Sequence, residues 1–399
     1  MDATSTPRPA DPAISVVIPT YNRRDSLAAA LRSVLMQDGD VPYEVVVVDN
    51  NSTDGTAEVV LQYAEESSRH VRYFREGRQG AAHARNAGLA LASASLIAFV
   101  DDDVRVARDW VTTTWRALTD NPDVDYVGGR VLPDPTAHRP AWLTDGHWSP
   151  LAILDYGDSP RYISAADPCV MLGANLAIRR AILDRVGQFV AAFQHLRNTV
   201  CGGAEDHELQ LRIWAAGGRG LYVPDMVVTA DIPPERLTKR YHRRWHSEHG
   251  ILCSRMRVEE MIGNSGELLP DRQDDLQLFG APAWLFRRWL RAFSQCLLQG
   301  IRGHEALMFA HETRVRYYTN YIRTRFRDTQ SQRPDGWRGE LGRFVIALLK
   351  KKLRLYAGVA ASSQTRTHGD ISPSAAVAAS HLAHAEQARV HDGSSALEH

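Results

Sequence analysis

The chain has 399 residues, 44% of them apolar and 24% charged, ordinary values for a globular protein with room for one large domain and an appendage, or for two domains. Lys plus Arg balances Asp plus Glu at 47 each, so net charge gives no reason to expect nucleic-acid binding. The four cysteines, Cys169, Cys201, Cys253 and Cys296, lack zinc-ligand spacing and read as free thiols of a reducing compartment. No apolar run reaches the roughly 18 residues of a membrane span, and Met1 to Pro12 has no signal-peptide core. A cytoplasmic location follows as the expectation.

The β-branched run Ile14 to Ile18, ended by Pro19, predicts a first strand. Residues 25–37 carry helically spaced Leu27, Leu31, Val34 and Leu35 behind Asp25. Residues 44–49 form a second buried strand. The turn chemistry of Asn51-Ser52-Thr53-Asp54-Gly55 then opens a helix near 55–67. A short strand at 71–74, an Ala-rich helix at 79–93 and a strand at 96–100 follow. This alternation predicts an α/β doubly wound sheet. Beyond it the pattern reads as a helix near 107–120 and a strand at 124–129. A Pro-, Asp- and Trp-rich surface excursion follows over 132–165, then a strand running into a helix over 172–186. Residues 187–203 read as mobile, 205–216 as a helix, and 221–223 as a last strand ended by Pro224. From about 235 the chain is basic and helical, near 235–258, 282–300, 303–328 and 337–356.

The apolar run Leu96 to Val100 is followed directly by Asp101-Asp102-Asp103. Three carboxylates at the carboxyl end of a buried strand repel one another, and a hard divalent cation or a hydroxyl-rich ligand there would offset that. Open α/β sheets bind ligands at this end. The first two strands also end in polar clusters, Thr20-Tyr21-Asn22-Arg23 and Asp49-Asn50-Asn51-Ser52. The crevice so formed suits a nucleotide.

The segments ISVVIPTYNR (14–23), VDNNSTDGT (48–56), GAAHARNAG (80–88), FVDDD (99–103), GAEDHEL (203–209) and PDMVVTADIPPERLT (224–238) together resemble glycosyltransferase family 2. The resemblance covers roughly residues 13–250. It implies a GT-A fold, in which a Rossmann-like nucleotide half is fused to an acceptor half, and inverting transfer from a nucleoside-diphosphate sugar, UDP favoured, to a hydroxyl acceptor. By resemblance Asp103, with Asp101, would hold Mn²⁺ or Mg²⁺. Asp101 would alternatively contact the donor ribose, while Asp102 faces the sugar or turns away. Asp206 would be the general base, on a helix N-terminus that favours a charged carboxylate. Glu205 would orient the acceptor or its loop. Pro19, Thr20, Tyr21 and Asn22 would wall the base pocket, with Asp49 accepting from a pyrimidine N–H. Asn50 stands where many relatives carry a second Asp. Arg85 resembles a donor-binding residue, or makes a salt bridge to the acidic edge.

One position departs from the pattern. Ala230, followed by Asp231, stands where relatives often carry a histidine ligand, and His242, His246 or His249 is the candidate substitute. Arg243 and Arg244 are candidates for the diphosphate, and Trp142, Trp148 and Tyr156 for stacking on the acceptor. The departure keeps a second reading open, a catalytically silent nucleotide-sugar-binding or scaffold protein. A nucleotidyltransferase fits less well, because no Gly-rich pyrophosphate loop opens the chain.

The expected domains are a disordered 1–12, a GT-A domain over 13–234, a basic helical extension over 235–358 and a disordered 359–399, whose last residues, Leu397-Glu398-His399, read as the start of a tag. Within the extension, residues 344–349 followed by Lys350-Lys351-Lys352 are a candidate for contact with an anionic membrane surface, for a dimer interface, or for packing on the core. The acceptor class, whether glycan, lipid-linked sugar, natural product or peptide, is not specified by any motif.

Overall fold

Four short strands supply the first half of the sheet: β1 (Ile14–Thr20), β2 (Tyr43–Asp49), β3 (His70–Arg75) and β4 (Leu96–Val100). In β1, β2 and β4 the valines and isoleucines are buried on both faces, with Val16, Val17, Ile18 and Val45 to Val48 all inaccessible. That pattern suits parallel strands covered by helices on each side. The order is β3-β2-β1-β4, all parallel. The helices α1 (Arg24–Leu35), α2 (Thr56–Glu66) and α3 (Ala81–Leu91) make the crossovers. This computed structural model describes residues 11–332, except 68, 136–138, 194–198, 264 and 270–275, together with 339, 344, 345 and 347. The chain divides into residues 1–341 and 342–399, and the elements described here all belong to the first unit.

The second half of the sheet is mixed. It comprises β5 (Val104–Val106), β6 (Tyr126–Pro133), β7 (Arg161–Ile163), β8 (Asn175–Arg179) and β9 (Gly220–Ala230). The order continues from β4 as β8-β6-β9-β5, and β7 also pairs with β9. Strand β8 runs antiparallel to both β4 and β6, while β6 and β9 are parallel. Helix α4 (Trp110–Thr119) follows β5, and α5 (Arg180–Val186) follows β8. The fold is therefore the α/β, GT-A type sheet that the resemblance implied, with helices after it.

The sequence reading needs correction at β9. Pro224 does not end that strand, which continues to Ala230. The β6–β9 register shifts after Gly129, so that Gly129 faces Val223 and Arg130 faces Val227. Residues 224–226 bulge out of the ladder, and a bulge tolerates a proline that has no N–H to donate. Gly129 makes room for the bulge, since a Cβ there would lie 1.9 Å from the Met226 carbonyl oxygen. Strand β5 escapes the sequence reading because three residues show no periodicity. The excursion over 132–165 does not simply run over the surface: Leu154 bridges to Val131, and Leu143, His147 and Leu151 are buried.

Helix α6 (Glu205–Ala215) precedes β9, and α7 (Lys239–Met256) and the single turn α8 (Val258–Met261) follow it. The pair α9 (Ala283–Ile301) and α10 (Glu305–Gln332) completes the described chain, with α10 packed against both α7 and α9. No helix among the described residues is long and apolar enough to cross a membrane. The expected helix over 337–356, the anchor candidate at 344–352 and the 359–399 tail lie outside the described residues, apart from the four single positions named above. So do residues 1–10 of the N-terminus and 194–198 of the segment expected to be mobile.

Candidate active site

Strand β4 delivers Asp101, Asp102 and Asp103 to the carboxyl edge of the sheet, and parallel pairing with β1 sets the loop after Thr20 beside them. Thr20 Oγ1 donates to Asp102 at 2.8 Å. Arg23 donates to Asp102 at 2.9 Å and to Asp103 at 2.6 Å. On the other flank Arg85 of α3, only 7% exposed, donates to Asp101 at 2.9 Å and through its other terminal nitrogen to Glu205. Glu205 opens α6, and its neighbour Asp206 accepts from the Gly173 N–H at 2.9 Å and from the His207 N–H at 2.8 Å. One buried guanidinium thus ties the acidic triplet to the first turn of a helix a hundred residues further along. The residue before α6, Ala204, makes no side-chain cap.

Burial pushes the Asp102 carboxyl up to about 6, against the pull of Arg23. Burial also raises Asp103, with Asp101 adding repulsion, while Arg23 and Arg236 draw it down. Burial opposes the charge on Arg85, yet Asp101, Glu205 and Asp206 hold its pKa above the usual guanidinium value. Glu205 is raised by burial despite Arg85, and its Oε2 is buried with no hydrogen-bond partner. A contrasting carboxylate sits at the opposite edge of the sheet. Glu44, equally buried, takes hydrogen bonds from Ser15, Arg72 and both the backbone and hydroxyl of Ser93, and is accounted for by structure alone. The triplet is not satisfied in this way. Asp101 Oδ2 and Asp103 Oδ1 accept no hydrogen bond among the described residues, and their side chains are 33% and 21% exposed.

Two partly exposed carboxylate oxygens suit a divalent cation that takes its other ligands from phosphate and water. No group of three or more His, Cys, Asp or Glu arranged to hold a metal occurs among the described residues, so the fit is to a cation shared with a ligand and not to an all-protein cage. Arg23 holds the place of that positive charge. Neither it nor Arg236 stands out in the sequence as a site residue. Arg23 ends the Thr20-to-Arg23 cluster, but its partners depend on β1 and β4 being neighbours.

At the end of β2, Asp49 accepts from the Ser52 N–H and from the Tyr73 hydroxyl, each at 2.7 Å. Asn50 is fully engaged: its amide donates to the carbonyls of Glu76 and Arg78, and its oxygen accepts from Gln79 and the Gly80 N–H. It fixes the loop that leads into α3 and so sets where Arg85 stands. Asn22 has φ of 51°, a left-handed turn that asparagine tolerates, and its side chain accepts from the Thr53 N–H. Pro19 pairs with Val48, and Tyr21 is 48% exposed beside them.

The other candidates lie elsewhere. Ala230 ends β9 opposite Val104, and the Asp231 N–H donates to the Asp103 carbonyl at 3.0 Å. The position lacking histidine therefore abuts the triplet. His242 is inaccessible and packs against Trp142, His147 and Phe309, with neither ring nitrogen hydrogen-bonded. His249 stacks on Trp245. Arg243 forks onto Glu312 of α10, and Arg244 pairs with Glu248. Trp142 packs in the His242 cluster, the Trp148 ring lies under Arg139, and Tyr156 donates to the Val170 carbonyl.

The buried histidines predict acid lability. Burial depresses His242 to about 4 and His246 and His249 to about 3. Above the unfolded value near 6.5 all are neutral in both states. As pH falls through 6.5 the unfolded chain takes up protons that the folded chain refuses, so stability drops, by about 2 kcal/mol per group at pH 5. Thermal melts from pH 7 to 5 are expected to fall steeply, and His242→Phe to flatten the fall; identical slopes for both proteins would contradict this.

Residues 15–187 match the family described as Glycosyl transferase family 2. Glycosyltransferase AglE of Haloferax volcanii is 34% identical over 121 residues, covering 30% of this chain and 40% of that protein. Chondroitin synthase of Pasteurella multocida is 27% identical over 238 residues, covering 51% of this chain and 23% of that protein. The chain thus spans less than half the length of these relatives. Among solved structures, the mannosyltransferase PcManGT from Pyrobaculum calidifontis in complex with GDP-Man and Mn²⁺ is 20% identical, covers 98% of this chain and 85% of that chain, and superposes with a TM-score of 0.47. Over residues 15–187 the chain is thus similar to glycosyltransferase family 2.

Proposed function

We propose that the protein is a metal-dependent, inverting glycosyltransferase that moves a sugar from a nucleoside-diphosphate donor, a UDP-sugar for preference, to a hydroxyl acceptor. The observation that carries this reading is the Asp101–Arg85–Glu205 bridge, which holds the acidic triplet and Asp206 at one place. Thr20, Tyr21 and Asn22 would wall the base, and the remaining lone pairs of Asp49 would accept from a pyrimidine N–H. A divalent cation held by Asp103 with Asp101 would supply Lewis-acid stabilisation of the charge on the departing diphosphate. Asp102 stays tied to Thr20, and so positions the triplet. Arg23 and Arg236 would turn to the diphosphate once the cation neutralises Asp103. Asp206 would take the proton of the acceptor hydroxyl as its oxygen attacks the anomeric carbon from the face opposite the leaving phosphate oxygen. Arg85 keeps Glu205 and Asp101 fixed relative to one another.

A thermal-shift panel of UDP-, GDP-, TDP- and CMP-sugars with and without Mn²⁺ tests the donor. At a hundredfold excess over its Kd, the right donor adds about 2.7 kcal/mol to native stability. The expected result is a shift with a UDP-sugar that requires Mn²⁺ and is lost in Asp103→Ala, together with slow donor hydrolysis by the unmodified protein. No shift with any donor would refute the reading, and a shift without any turnover would leave a binding protein in its place.

A further inference from the structure

We infer that the outward side of α9 docks on an anionic lipid surface. The helix packs on α10, where the Trp289 indole N–H donates to the Thr319 hydroxyl, and buries Leu285 and Ala292. The adjoining side is apolar as well, with Phe293 stacked on Trp289. Leu290, Phe293, Leu297 and Ile301 recur at helical spacing along one stripe and are 60%, 41%, 55% and 85% exposed. A helix that is polar on its outer side needs no further partner, whereas this one leaves large apolar groups in water along about three turns.

The charges beside the stripe select the occupant. Residues 283–301 contain no acidic side chain, and residues 283–332 contain nine arginines against three acidic residues. Arg287, Arg291 and Arg302 are exposed and make no ion pair among the described residues. An apolar stripe rimmed by unpaired arginines is the chemistry of a helix lying in the interface of an anionic bilayer. A second copy fits poorly, because a two-fold interface would set these arginines against themselves. This inference does not depend on the proposed chemistry.

Flotation of the full chain tests it, with vesicles of phosphatidylcholine alone or mixed with phosphatidylglycerol. The chain should float with the mixed vesicles and remain below with phosphatidylcholine. Arg287→Gln with Arg291→Gln should weaken partition roughly twenty-five-fold, at about fivefold per charge. Leu297→Glu with Ile301→Glu should abolish flotation. Both pairs are exposed, so unchanged melting curves will report intact folding. Three outcomes would overturn the inference: no flotation of the unmodified chain, equal flotation on both vesicle types, or flotation undiminished in the Leu297/Ile301 variant, which would move the contact to the C-terminal segment. Sedimentation showing a dimer that the same variant dissociates would assign the stripe to a second copy instead.

Discussion

Asp206→Asn is expected to cut transfer about a thousandfold while donor binding stays within about twofold. A positioned base contributes on the order of 10² to 10⁴ in rate, and asparagine cannot accept the acceptor's proton. The substitution is nearly isosteric. Of the two backbone N–H groups that Asp206 accepts, from Gly173 and His207, an amide oxygen can keep one, so the structural loss is about 1 kcal/mol. That loss is small against the roughly 4 kcal/mol that a thousandfold represents. Steady-state transfer assays paired with donor titrations separate the two effects. Equal losses in binding and turnover would place Asp206 in the scaffold, not in the reaction.

Arg85→Met is expected to destabilise the fold by about 3–5 kcal/mol, the cost of leaving a buried carboxylate without its partner. Glu205 is 4% exposed and already has one oxygen without a hydrogen-bond partner, so losing the guanidinium strands the other. The paired variant Arg85→Met with Glu205→Gln should recover part of that stability, because no buried charge is then left uncompensated. Arg85→Lys should fall between, since a single ammonium cannot fork between Asp101 and Glu205. Urea melts measure all three, and a change under about 1 kcal/mol for Arg85→Met would show that the bridge does not hold the site together.

Much of this site is legible in the amino-acid sequence. An apolar five-residue run followed by three aspartates can hardly be placed elsewhere than at a strand's carboxyl end, and helical spacing puts Glu205 and Asp206 in a first turn. Adjacency is what a linear pattern does not carry. Arg23 reaches Asp102 and Asp103 because β1 and β4 are neighbours, and Arg85 joins two segments 120 residues apart. Asn50 resembles a substituted ligand residue, yet four hydrogen bonds give it a structural task in the loop before α3. Pro224 misleads because a proline ends a regular ladder but not a bulged one. The histidines of α7 sit among arginines, in a stretch whose composition is basic. Their burial follows from the packing of α10, which no local pattern announces.

The central claim is that the carboxylates at the end of β4 share a cation with the donor. Crystals grown with UDP and Mn²⁺ would test it most directly through the anomalous signal of manganese. The account predicts a single peak roughly 2.1 Å from a carboxylate oxygen of Asp103, with Arg23 swung away from it. A peak on the histidines of α7, or no peak while Arg23 still bridges Asp102 and Asp103, would contradict it.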